Sequence, residues 1–147
     1  MKNQIGDAGM QALASSFAGG AFRELKKLDL GINSIGDAGL MAIAAAFAEG
    51  AMPKLKKLKL DNNQIGDDGA VALAEAVGKG ALPELKDLRL NDNKIGDKGA
   101  KALAEAIGKG ALPELKELWL GRNKLSQTAR DAWEAVKAKR SGLDVYT

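Results

Sequence analysis

Apolar and polar positions follow one nine-residue pattern that recurs four times along the chain. Its clearest copy runs from Leu85 to Asn93, with leucine at the first, fourth and sixth positions and asparagine at the ninth. The four copies lie 30 residues apart and begin at Leu25, Leu55, Leu85 and Leu115. A repeat of this period predicts a solenoid, in which each unit buries its apolar face against its neighbours.

Each period divides into a strand segment and a helical segment. In the strand segment, Leu88 and Leu90 alternate with polar residues, which predicts a strand with one buried face. In the helical segment, Leu73 and Val77 share one face at helical spacing, and Gly80 ends the helix in the left-handed cap position. Because a helix connects each strand to the next, the strands are expected to be parallel with right-handed crossovers.

The turn between strand and helix carries an asparagine, a buried isoleucine and the sequence Gly-Asp-x-Gly, as in residues 63–69. We interpret the asparagine as an amide that satisfies the backbone of neighbouring turns. The aspartate, exemplified by Asp67, is predicted to cap the start of its helix. The second glycine, exemplified by Gly69, predicts a close approach of the helix to the strand layer, because glycine has no Cβ.

The pattern predicts a single domain, 1–147, with two atypical ends. Residues 1–24 form an incomplete first repeat without a strand, residues 25–124 hold the regular repeats, and residues 125–147 form a C-terminal cap. In the cap, Trp133 takes the register of Leu103 and is predicted to plug the core, with a ligand contact as the alternative. Leu143-Asp144-Val145 then alternates like a last short strand. The amino-terminal end has no polar cap, so either more repeats or another chain is expected to cover it.

Composition narrows the function classes. The 147 residues contain no cysteine and no histidine, which removes disulfides, thiolate metal sites and the commonest catalytic bases. We therefore predict a chain that is not an enzyme and has no metal or cofactor. The net charge of +3 is far from the strongly basic balance of a nucleic-acid binder. The longest apolar run, Leu40 to Ala48, is about half the ~18 residues of a membrane span, so a cytoplasmic location is predicted.

The motif Leu-x-x-Leu-x-Leu-x-x-Asn-x-Ile-Gly-Asp-x-Gly, followed by Ala-Leu-Ala, resembles the ribonuclease-inhibitor-like class of leucine-rich repeats. The resemblance implies an α/β fold: a right-handed leucine-rich-repeat solenoid, or partial horseshoe, with a parallel sheet on the concave side and α-helices on the convex side. The class includes ribonuclease inhibitors, Ran-type GTPase activators, tropomodulin-like actin cappers and immune-receptor sensors. It implies protein binding without naming a partner. Ribonuclease inhibitors are longer and cysteine-rich, so their contacts are not carried over.

The polar strand positions on the concave side form the candidate binding surface for a protein partner. One position changes from Asp29 through Lys59 and Arg89 to Trp119 while the last two helices are nearly identical, which is typical of a recognition surface. Trp119 is either an interface anchor or the partner of Arg89 in a cation–π pair. The candidate partner-binding residues are Lys27, Asp29, Lys57, Lys59, Asp87, Arg89, Glu117, Trp119 and Arg122. Their basic members predict a partner with an acidic surface.

A second hypothesis treats the chain as a structural scaffold. Residues 63–90 and 93–120 are identical at 22 of 28 positions, which indicates recent duplication or an engineered sequence of consensus type. Such a scaffold, or a fragment of a repeat array, would associate weakly with itself through the amino-terminal end. An apolar patch on the outer helices is a further candidate for self-association, with ordinary helix packing as the alternative; its residues are Met41, Ala45 and Val71. No nucleic-acid or membrane partner is predicted.

Overall fold

The structure, a computed structural model, describes residues 3–147; residues 1 and 2 of the predicted first repeat lie outside this range. Helices and strands alternate along the described chain. They are α1 (Asp7–Ala18), β1 (Lys27–Asp29), α2 (Asp37–Ala48), β2 (Lys57–Lys59), α3 (Asp67–Gly78), β3 (Asp87–Arg89), α4 (Asp97–Gly108), β4 (Glu117–Trp119), α5 (Gln127–Lys139) and β5 (Asp144–Tyr146). Among these residues, no helix is long and apolar enough to cross a membrane.

The five strands form one parallel sheet in chain order. The central residue of each inner strand points into the core, and Leu58, Leu88 and Leu118 are fully buried. A helix is about 10 Å across whereas neighbouring strands lie about 4.8 Å apart, so the helix layer is the wider one and the sheet lines the concave side. The α/β leucine-rich-repeat solenoid predicted from the sequence is confirmed.

The core runs as one cluster between the sheet and the helices. Trp133 is 1% exposed and closes this core at the C-terminal end, which confirms its predicted role as a plug. The opposite end is more open, because Leu28 of the first strand is only half-buried. The left-handed glycines at the helix ends are also confirmed, with φ between 80° at Gly20 and 105° at Gly110.

The asparagine side chains join consecutive turns, as predicted. The Asn63 Oδ1 atom accepts the Ile35 N–H at 3.0 Å. Its Nδ2 atom donates to the Leu30 carbonyl of the preceding repeat at 2.9 Å and to the Leu60 carbonyl of its own repeat at 3.1 Å. Asn93 makes the equivalent bonds one repeat later. One buried amide therefore satisfies backbone groups in two repeats.

The predicted role of the turn aspartates, that each caps its own helix, is wrong. The N-cap residue of α3 is Gly66, and Asp67 is already the first helical residue. The Asp67 Oδ1 atom instead accepts the backbone N–H groups of Gly96 and Gly99 in the next repeat, at 2.9 and 2.7 Å. Stacking places the first turn of each helix against the amino-terminal end of the next one, so the carboxylate stabilises that neighbouring end.

The predicted contact of the second turn glycine is also wrong. A Cβ atom on Gly99 would lie 2.8 Å from the Cβ of Ala70 and 3.1 Å from the Cα of Asp67. Both atoms belong to the preceding helix. The missing side chain therefore chiefly allows two helices to approach each other closely. At Gly69 a Cβ atom would also lie 3.3 Å from the side chain of Ile65 in its own turn.

Candidate functional site

The strands place two rows of side chains on the face of the sheet opposite the core. We call these ten residues the strand face. The pairing register aligns the first row as Lys27, Lys57, Asp87, Glu117 and Asp144, and the second row as Asp29, Lys59, Arg89, Trp119 and Tyr146. Every predicted partner-binding residue except Arg122 lies in these rows. Arg122 lies in the turn after β4, where it pairs with Asp92 at 3.2 Å.

Ion pairs within the strand face engage most of its basic residues. Lys57 lies 2.5 Å from Asp87, Lys59 lies 2.9 Å from Asp29, and Arg89 also contacts Asp87 at 3.2 Å. The four cations of the two rows are matched in number by four carboxylates, so the strand face carries no net charge. The basic residues of the strand face alone therefore do not favour an acidic partner.

The charge pairs shift two ionisation equilibria. Partial burial raises the pKa of Asp29, but hydrogen bonds from Lys59 and from the Gly31 N–H outweigh that effect, and the pKa lies below its usual value. The hydrogen bond to Asp87 raises the pKa of Arg89 against the opposing effect of burial. Both pKa shifts favour the charged forms of Asp29 and Arg89, as expected for groups that form ion pairs in the folded state.

Trp119 stands in a stack at the C-terminal side of the strand face. Its ring lies 4.1 Å from the ring of Tyr146 between centroids, with an angle of 24° between the planes. The Arg89 guanidinium carbon lies 5.3 Å from the indole centroid, and the indole N–H donates to Glu117 at 3.3 Å. The predicted cation–π pair is present. The indole is half-buried rather than fully exposed.

Sequence reasoning missed Tyr146. The alternation of residues 143–145 had already indicated a last strand, and extending it by one residue would have placed Tyr146 on the same face as Asp144. Tyr146 remains 44% exposed. The aromatic surface available to a partner is thus larger than Trp119 alone provides.

Four lysines precede the strands and adjoin the strand face. Backbone hydrogen bonds connect neighbouring members of this set. The Lys86 N–H donates to the Lys56 carbonyl at 2.8 Å, and the Lys116 N–H donates to the Lys86 carbonyl at 2.9 Å. None of the four forms an ion pair with any described residue. This lysine row consists of Lys26, Lys56, Lys86 and Lys116, and it concentrates positive charge along one side of the neutral strand face.

The outer helices show a smaller apolar patch than predicted. Met41 is 49% exposed and Ala45 is exposed, both on α2. Val71 occupies the position of Met41 one repeat later and is half-buried on α3. Among residues 3–147, acidic side chains form no cluster of three or more that could hold a metal ion.

A family model for leucine-rich repeats matches residues 1–14, 23–44, 51–74 and 82–104, which is more than half of the chain. The chain therefore belongs to the leucine-rich repeat family. Its structure is similar to the crystal structure of an internalin (inlF) from Listeria monocytogenes, with a TM-score of 0.52 and 24% sequence identity. The match covers 98% of this chain but 38% of the internalin chain, and it concerns the fold. A search of curated proteins finds no match.

Proposed function

We propose that the chain is a non-enzymatic module that binds a protein partner through the strand face. The observation that supports this function is the stack of Trp119 and Tyr146 on an otherwise polar surface. Arg89 and Glu117 contact the indole on the free surface, so the ring is ordered before a partner arrives. A large aromatic surface that is already ordered loses little side-chain entropy on binding.

The unpaired positive charges of the lysine row favour a partner that has acidic groups on part of its surface. We propose that acidic groups of the partner lie opposite Lys56 and Lys86, while an apolar or hydrogen-bonding group lies on the aromatic stack. Unpaired surface charges act mainly on the association rate and on its salt dependence. Replacing Lys56 and Lys86 with glutamate is expected to slow association and to weaken its dependence on ionic strength.

The test compares the aromatic stack with an exposed apolar residue on the opposite side of the molecule. Proteins captured from a lysate by the wild-type chain are identified, and their affinities are then measured for a Trp119→Ala/Tyr146→Ala variant and for Met41→Ala. Loss of interface anchors is expected to weaken binding by at least about tenfold, whereas Met41→Ala is expected to bind like the wild type. Unchanged affinity of the aromatic variant, with an unchanged circular dichroism spectrum, would exclude this site.

Self-association through the amino-terminal end is a second candidate. It is favoured by Leu28, which is half-buried although its equivalents Leu58 and Leu88 are fully buried. Sedimentation of the wild type and of Leu28→Lys over a range of concentrations tests this candidate. A dimer that the substitution abolishes would support it, and a monomer at every concentration would contradict it.

We also propose that the chain is cytoplasmic and that it does not bind nucleic acid. We infer a cytoplasmic location from the composition of the sequence, and cell fractionation tests it. A titration with duplex and single-stranded DNA at low salt tests the expected lack of affinity, because non-specific binding is strongest there.

A further inference from the structure

The last helix does not repeat the close stacking of the others. Ala129 stands where α4 has Gly99, and Trp133 stands where α4 has Leu103. A Cβ at the glycine position and a larger side chain in the core both hold α5 away from α4. Accordingly, α5 packs less extensively against α4 than α4 does against α3. An open groove of about 360 Å³ lies between α4 and α5 on the helix side of the solenoid.

The floor of this groove is apolar and made of small residues. Its lining residues from the two helices are Ala104, Gly108, Ala132, Ala135 and Val136. Gly108 and Ala135 are exposed, whereas Val136 is buried at the base. Small side chains on both walls leave room for larger side chains of another molecule to enter between the helices.

The rim of the groove carries an excess of positive charge. Its charged residues are Lys101, Lys109, Lys139 and Glu105. The three lysines form no ion pair with the described residues, whereas nearby Lys98 and Lys137 are paired with Asp68 and Glu134. Lys109 and Lys139 lie at helix C-termini, where a cation also complements the helix dipole. Lys101 lies in the middle of α4 and has no such structural role.

We propose that this groove binds an amphipathic helical segment of a protein partner, with apolar side chains in the groove and acidic side chains against the lysines. A groove between two helices accepts the apolar stripe of a third helix, whose anchors recur every three to four residues. The three unpaired lysines select acidic flanks for that helix. The groove lies on the convex side, so its partner does not compete with a partner of the strand face.

The proposal is tested with a synthetic amphipathic peptide of about 16 residues, with leucine on one face and glutamate on the other. The full chain, labelled with nitrogen-15, is titrated with this peptide, with a scrambled peptide of the same composition and with a peptide that has lysine in place of glutamate. Saturable shifts of the amides of α4 and α5 are expected with the first peptide alone. They are expected to weaken as salt is raised.

Variants of the chain separate the groove from general electrostatic attraction. Lys101→Glu is expected to weaken binding at least about threefold, which is the scale of one exposed charge pair. Ala135→Glu is expected to weaken it more strongly, because it fills the groove and repels the peptide. The charge-reversal control is Lys79→Glu, at the end of α3 and outside the lining of the groove, which is expected to leave binding unchanged. Thermal melts followed by circular dichroism check that each variant folds.

Three outcomes would overturn the proposal. The first is the absence of shifts in α4 and α5 at about 1 mM acidic peptide, a concentration that detects even weak binding. The second is equal binding of the acidic and the basic peptide, or equal binding by wild type and Lys101→Glu. The third is a dimer of the chain that Ala135→Glu abolishes, which would assign the groove to a second copy of the same chain.

Discussion

At the scale of single residues, two adjacent acids in the first turn of α3 have different roles. The Asp67 carboxylate accepts two backbone N–H groups of the next repeat. Asp68 is 70% exposed and contacts Lys98 at 3.5 Å. Both positions would suit an acid near a helix start, and only the stacking of repeats distinguishes them. The carboxylate that bridges two repeats is expected to contribute far more to stability.

Replacing these acids one at a time measures that difference. Asp67→Ala removes the acceptor for two amides at the amino-terminal end of α4, so it is expected to destabilise the fold by about 1–2 kcal/mol. Asp68→Ala removes only an exposed ion pair and is expected to change stability by less than about 0.5 kcal/mol. Urea unfolding of both variants gives the comparison. Equal losses would contradict the bridging role of Asp67.

The junction between α4 and α5 contains a carboxylate with a shifted pKa. The Ser126 hydroxyl donates to Asp97, and the Ser126 N–H donates to the same carboxylate at 2.8 Å. The hydroxyl first, and the amide second, hold the pKa of Asp97 below its usual value. A carboxylate whose pKa is lower in the folded state stabilises the fold above its unfolded pKa, and this contribution is lost as pH falls through the folded pKa.

Ser126→Ala is therefore expected to raise the pKa of Asp97 toward its ordinary value. The variant should lose the stabilising contribution of Asp97 at a higher pH than the wild type does. Titration of the Asp97 side-chain signals by NMR measures the pKa directly. Thr128→Ala, which alters an exposed residue of the same turn, serves as the control and should leave the titration of Asp97 unchanged.

At the scale of elements, glycine positions decide how closely the helices pack. A Cβ on Gly99 would overlap Ala70 and Asp67 of α3, whereas a Cβ on Gly78 would have no atom within 4 Å. Gly99 lies in the first turn of α4 and Gly78 at the end of α3. The same residue type thus serves close packing in one place and has no packing role in the other.

The two glycines are expected to respond to alanine with opposite signs. Gly99→Ala should destabilise the fold by about 1–3 kcal/mol, because the helices must separate to admit the methyl group. Gly78→Ala should stabilise it by up to about 1 kcal/mol, because alanine favours the helix and restricts the unfolded chain. Denaturant unfolding measures the change in the free energy of unfolding for each variant. A change of the same sign in both variants would contradict the packing described for Gly99.

The elements themselves were largely predictable from the sequence. Period-two leucines marked the strands, helical spacing marked the helices, and the asparagines were correctly assigned to the backbone of neighbouring turns. The partners of Asp67 and Gly99 were not predictable, because the offset between stacked helices decides which backbone a side chain reaches. The pattern within one repeat contains no information on that offset.

At the scale of the whole molecule, the two ends of the solenoid differ. The C-terminal end is closed by Trp133 and by the strand β5. At the other end, α1 buries Met10 and Phe17, whereas α2 and α3 each bury six residues. The free energy of local unfolding follows the buried contacts of a segment. It should therefore be lowest at the amino-terminal end.

Native-state hydrogen exchange followed by NMR tests this gradient. The amides of α1 are expected to exchange faster than the equivalent amides of α3, because fewer buried contacts must break to open α1. The equivalent positions lie 60 residues apart, and protection factors, which divide out the intrinsic exchange rate of each local sequence, make them comparable. Equal protection in α1 and α3 would show that the amino-terminal end is as stable as the centre.

The sequence predicted which residues lie on the strand face, but it did not predict the charge balance of that face. Eight of the nine predicted residues lie on the strand face, because the alternation of a strand fixes which side chains share a face. Its electrical neutrality was not predicted. Lys57 and Lys59 pair with carboxylates on neighbouring strands, so their charge is balanced by residues about 30 positions away.

The sequence alone determined the period, the alternation of strand and helix, and the hydrogen bonds that asparagine side chains make between turns. Each of these depends on a spacing that every repeat contains. The tertiary structure alone decided which repeat each carboxylate caps, that Tyr146 stacks on Trp119, and that the buried Leu82 has a left-handed backbone with φ of 54°. Such a conformation is unfavourable for leucine in isolation. It persists because contacts distant in sequence bury the side chain, and local pattern does not reveal such contacts.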